Sequence, residues 1–141
     1  MSYKNEYLRN KLARGSLEIR SRNEFHKLEE HANEKIELLK LFFFNEHLAD
    51  KDLKEIAKRM ANMLQIDGLL ADFGSYPTIT DFGLITFVDA LDKFDLKSLT
   101  ISVATPELAT TNNISDSVVK KLCRVLKKKT RLVHLELNVK K

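Results

Sequence analysis

Three stretches of this chain carry the same apolar spacing, and that repetition limits the fold more than any other feature. From Asp50, Asp81 and Asp116, offsets of three, six, seven and ten give Leu53, Ile56, Ala57 and Met60, then Leu84, Phe87, Val88 and Leu91, then Val119, Leu122, Cys123 and Leu126. Steps of three, one and three trace one face of a 3.6-residue helix. Thr80-Asp81 and Ser115-Asp116 supply side-chain oxygens where first-turn amides need acceptors. Each helical stretch is followed by a second spacing: Ile66-x-x-Leu69-x-Ala71, Leu96-x-x-Leu99-x-Ile101 and Leu132-x-x-Leu135-x-Leu137. The last two positions of each trio alternate, as a half-buried strand requires. Any one copy suits an ordinary α/β domain. Agreement across three, with origins 31 and 35 residues apart, favours stacked repeats.

The order helix, link, L-x-x-L-x-L resembles leucine-rich repeats of the ribonuclease-inhibitor type. The resemblance spans 48–139, about two thirds of the chain. It implies one parallel strand and one helix per repeat, with a concave face used for protein contact. That family usually places Asn or Cys three residues after the final Leu, where this chain has Gly74, Ala104 and Lys140. The links after Ala71 and Ile101 are also longer than the family's tight return. The expected fold is therefore α/β: an N-terminal helical cap over 1–47, then about three degenerate helix–strand repeats over 48–141 with a short parallel sheet.

The expectation of a cap rests on two observations. Ser21-Arg22-Asn23-Glu24 matches a capping box. Phe25, Leu28, Ala32, Ile36, Leu39 and Phe43 then follow at steps of three and four, which predicts a helix of about 22 residues, ~33 Å long. Its apolar end, Leu41 to Phe44, suits the closing unit of a repeat array, or else a groove-binding or dimerising helix. Before it, residues 1–20 read as a short helix broken at Gly15-Ser16, or as an arm that orders on binding.

Several function classes are disfavoured by composition. No apolar run approaches the roughly 20 residues that span a bilayer, and the basic start has no apolar core after it, so no secretory signal is expected. The single cysteine, Cys123, falls at an expected core position, and no intramolecular disulfide can form. An intracellular, cytoplasmic setting follows as an expectation. His26 and Glu30 stand four apart without a third ligand, and the four glycines are scattered rather than forming a phosphate cradle. No catalytic group, metal site or cofactor is expected.

Charge is uneven along the chain. Residues 116–141 carry nine basic and two acidic side chains, net +7, whereas 23–115 are net −7. Lys120, Lys121, Arg124, Lys127, Lys128, Lys129 and Arg131 concentrate on or beside the third helix. They suit a solvated face, an acidic protein partner, or phosphates bound through counterion release. No aromatic residue interleaves them for base stacking.

If the repeats stack, the strand residues between the apolar positions share one face. These are Gly68, Leu70 and Asp72, then Ser98, Thr100 and Ser102, then His134, Glu136 and Asn138. That polar face is either a protein contact or an ordinary wet sheet surface. The expected function is a non-enzymatic protein–protein interaction module, an adaptor, inhibitor or effector. The alternative is nucleic-acid or anionic-surface binding through the basic helix. No sequence follows the third copy to cap it, so self-association through its edge is a further expectation.

Overall fold

Parallel pairing orders the whole molecule. A computed structural model describes residues 13–44, 47–74, 78–104 and 115–140. Strand β1 (Ala13–Ile19) leads through a 3-10 turn (Arg22–Glu24) and a short helix α1 (His26–Glu30) into β2 (Lys35–Phe42). Helix α2 (Asp50–Met60) precedes the two-residue β3 (Gln65–Ile66) and β4 (Gly68–Asp72). Helix α3 (Asp81–Ala90) runs into a second 3-10 turn (Leu91–Lys93) and then β5 (Ser98–Ala104). Helix α4 (Asp116–Leu126) leads into β6 (His134–Lys140).

Among the described residues the sheet has six strands in the order β1-β2-β4-β5-β6, with β3 also paired to β2, and every pairing is parallel. Spatial order thus follows chain order. Each connection carries a helix, because parallel neighbours need a crossover rather than a hairpin. The helices pack in the same sequence, α1 on α2, α2 on α3 and α3 on α4.

The apolar trios explain the register. Leu39 pairs Leu69, Leu69 pairs Leu99 and Leu99 pairs Leu135; two residues on, Leu41, Ala71, Ile101 and Leu137 form a second row. Side chains of one parity point at the helices, and a one-residue slip would turn all of them outward. Leu17, Ile19, Leu39, Leu41, Leu69, Ala71, Leu99 and Ile101 are buried there against Leu53, Ile56, Met60, Leu84, Phe87 and Val88. Each of these side chains except Ala71 contributes about 1.5–3 kcal/mol of burial. Edge-to-face pairs add specificity, with ring centroids 5.1 Å apart for Phe73–Phe87 and 5.9 Å for Phe25–Phe43.

Helix starts follow their chemistry. Thr80 Oγ1 accepts from the Phe82 amide at 3.3 Å and Ser115 Oγ from the Val118 amide at 3.4 Å. Ala49, before α2, has no side-chain oxygen, and Asp52 instead accepts from the Ala49 amide at 2.8 Å.

Three expectations are corrected. Residues 35–42 form a strand, not the second half of a 22-residue helix. In a helix Leu41 would leave the stripe set by Ile36, Leu39 and Phe43; in a strand Leu39, Leu41 and Phe43 all turn inward, and all three are fully buried. Nor does Ser21 cap a helix: its side chain accepts no capping bond, and Glu24 accepts from the Arg20 amide at 2.7 Å. In α4 the inward residues are Val118, Leu122 and Val125, so Val119 and Cys123 are exposed. Among the described residues helix α4 has a neighbouring helix on its α3 side alone, and Val118 and Val125 supply an apolar stripe that serves as well as the one beginning at Val119.

Candidate interaction surface

The sheet face turned away from the helices is built from the parity that the core rejects. Register sets its residues in rows: Gly68, Ser98 and His134; then Glu18, Lys40, Leu70, Thr100 and Glu136; then Phe42, Asp72, Ser102 and Asn138. All nine strand residues expected on one face therefore share it. Leu70, Asp72, Ser98, Thr100 and Asn138 are half-exposed, His134 and Glu136 exposed, and Ser102 nearly covered. Gly68 has a physical reason to be glycine, since an added Cβ would lie 3.1 Å from the Glu37 carbonyl and 3.2 Å from Leu38 Cδ1.

Strands β1 and β2 widen this face beyond the sequence expectation. Glu18 accepts from Arg20 Nε at 3.0 Å and lies 3.9 Å from Lys40 Nζ. Arg20 stands over the Phe42 ring at 5.9 Å, and Phe42 stacks on the exposed Phe44 with centroids 5.7 Å apart. These residues were hidden by the helical interpretation of 25–43 and by the expectation of a short helix or arm over 1–20, whose described part, Ala13–Ile19, is strand β1. The signal that reveals them is Ile36-x-x-Leu39-x-Leu41, the strand spacing once more, 30 residues before Ile66. At the far strand, His134 Nε2 lies 3.6 Å from Glu136, which also accepts from Asn138 at 3.0 Å. The face thus carries the Glu18–Lys40 pair on β1 and β2, neutral side chains and the acidic Asp72 and Glu136 on the later strands, and an aromatic pair at one corner.

The basic run divides in two. Lys121 pairs with Asp89 at 2.8 Å, Lys128 with Asp92 at 3.7 Å and Arg131 with Asp95 at 3.1 Å. Lys129 is buried, and its Nζ donates to the Asp92 carbonyl at 2.7 Å. Burial pushes its ammonium below the usual lysine range, although Asp92 and Asp95 pull the other way. Lys120, Arg124 and Lys127 are exposed, and no ion pair to them is formed among the described residues. The expected seven-residue patch is therefore three open cations beside a seam of internal pairs. Cys123 lies among those three rather than in the core.

Elsewhere His26 and Glu30 stand exposed on α1, 3.5 Å apart. Among the described residues no helix is long and apolar enough to cross a membrane. A comparison with protein-family models finds no match to this chain, and a comparison with curated proteins finds none either.

Proposed function

We propose that this protein is a short array of leucine-rich-type repeats whose open sheet face binds another protein. One observation carries the proposal: half-exposed polar, charged and aromatic side chains from five parallel strands stand in register on a face that no described helix covers. The shared spacing Ile36/Leu39/Leu41, Ile66/Leu69/Ala71, Leu96/Leu99/Ile101 and Leu132/Leu135/Leu137, held in register, supports the repeat interpretation. Arrays of this kind present extended binding surfaces, and the Arg20–Phe42–Phe44 corner has the residue types that dominate interface energies. An adaptor, inhibitor or effector role matches a surface without convergent catalytic groups among its described residues. Binding to polyanions has less support, because four of the seven expected cations are engaged internally.

The test is affinity capture from a cytosolic extract after nuclease treatment and across a salt series. The wild type is compared with a Thr100→Arg/Glu136→Arg variant and a Lys120→Ser/Lys127→Ser variant. A discrete protein retained after nuclease by the wild type and the lysine variant, and lost with the sheet-face variant, is the expected result. Recovery that disappears with nuclease, or that depends on the lysines and not on the sheet face, overturns the proposal.

A further inference from the structure

Because the units share one spacing, the seams between successive helices can be compared position by position. Between α3 and α4, offset eight from Asp81 meets offset five from Asp116: Asp89 and Lys121, paired at 2.8 Å. Offsets eleven and twelve meet in the same way, as Asp92 and Lys128 at 3.7 Å. Between α2 and α3 the first pair of positions holds Lys58 and Thr86, and the second holds Ala61 and Lys93. Two carboxylates are missing there. A seam that is neutral in the next pair of helices carries two ammonium groups in this one, and Lys54, one turn before Lys58, adds a third.

Space accompanies the missing charge. A groove of about 540 Å³ lies between α2 and α3, and Lys54, Lys58 and Lys93 all line it. That volume falls within the roughly 300–1,000 Å³ of small-molecule sites. Ala57, Ala61 and Ala90 line it too, and their small side chains keep it open and apolar. Asp89 and Asp92 border it, but each is already paired with a lysine of α4. Lys54 and Lys58 are exposed and have no ion pair among the described residues. Bare carbonyls at the C-terminus of α2 would repel an anion. They are covered, since Lys93 Nζ donates to the Ala61 carbonyl at 2.8 Å and to the Met63 carbonyl at 2.6 Å.

We propose that this groove binds a small organic phosphate monoester. Such a group carries about −1.5 to −2 charges near neutrality and three acceptor oxygens, which replaces the two carboxylates that the seam lacks. Lys54 and Lys58 meet the phosphate from α2, Lys93 meets it from the other side, and the organic body lies against the alanines. A singly charged anion of the same shape restores only half of the missing charge. The site belongs to the helical layer and does not depend on what the open sheet face binds.

The probes are phenyl phosphate and benzenesulfonate, titrated into the nitrogen-15-labelled full chain and followed by amide chemical shifts. Phenyl phosphate is expected to saturate at one per chain, to shift the amides of Lys58, Ala61 and Ala90, and to bind at least tenfold more tightly than benzenesulfonate. Lys58→Glu, an exposed change whose folding is checked by circular dichroism, should weaken it at least tenfold, and Lys58→Arg should retain it. Ala61→Asp returns the carboxylate that Asp92 supplies at the next seam, and should also weaken binding at least tenfold. Lys120→Glu/Lys127→Glu, which reverses cations on α4 outside the groove, should leave affinity within about twofold. Equal affinity for the two probes, shifts scattered over the surface, indifference to Ala61→Asp, or an equal loss with the α4 variant overturns the proposal. So does a phosphoserine peptide that binds at least tenfold more tightly than phenyl phosphate, since the occupant is then a phosphorylated protein.

Discussion

Asp52 shows how one side chain ties the first turn of α2 to the segment before it. Its carboxylate accepts from the Ala49 amide at 2.8 Å and takes a bidentate pair from Arg22, at 2.8 Å to Nε and 3.0 Å to Nη2. Arg22 donates as well to the His47 carbonyl. Burial alone would raise the Asp52 carboxyl, but the Arg22 and Ala49 hydrogen bonds outweigh it and hold the group below its ordinary 3.8. A carboxyl lowered in the folded state stabilises above its unfolded value, and that stability is lost as pH falls through the lower, folded value. Asp52→Asn should therefore cost about 1–3 kcal/mol near neutrality. In urea unfolding across pH, the gap to wild type should stay level down to about pH 5 and close below that. A gap independent of pH would mean the loss is steric.

Gly83 is a second such residue, because α3 crosses the start of α2 closely there. A Cβ at this position would lie 3.0 Å from the Asp50 backbone Cα, which no side-chain rotation relieves. Helix propensity alone favours Gly83→Ala by about 1 kcal/mol. The overlap costs about 1–3 kcal/mol and also displaces the Asp50 carboxylate that accepts from the Thr80 amide at 2.7 Å. A lower thermal midpoint is expected; a higher one would show that the two helices have room to part.

At the scale of elements, what could be read from sequence depended on which period was unambiguous. Helices α2 and α3 bury the expected offsets, and the nine expected open-face residues of β4, β5 and β6 lie together, because in those units helix and strand patterns occupy separate stretches. Residues 25–43 defeat the same method. Ile36, Leu39 and Phe43 satisfy a 3.6-residue stripe, while Leu39, Leu41 and Phe43 satisfy alternation, and only the available partners, β1 and β4, decide between them. Helix α4 fails differently: Val118 and Val119 offer two adjacent stripes, and the choice depends on what stands on each flank, which no local pattern encodes. A pair of substitutions tests the β2 assignment. Leu41→Ala should cost about 2–5 kcal/mol in chemical denaturation, as for any well-packed core leucine. Leu38→Ala, on the half-exposed open face, should cost clearly less. Similar losses at the two positions would contradict the strand.

For the whole molecule, order in the sheet equals order in the chain, so each unit is held chiefly by its two neighbours and stability should vary along the array. Central strands β2 and β4 are paired on both sides, and their inward residues Leu39, Leu41, Leu69 and Ala71 are almost fully buried. The α4–β6 unit has one described neighbour, and exposed ion pairs of the kind that join Lys128 to Asp92 and Arg131 to Asp95 each contribute at most about 1 kcal/mol. Salt screens such pairs without touching buried leucines. Native-state hydrogen exchange should therefore find β6 and α4 opening at lower free energy than β2 and β4, with the difference growing modestly from low to high salt. Uniform protection along all the strands would show instead that the array opens only as a whole, and that its last unit is held by more than one face.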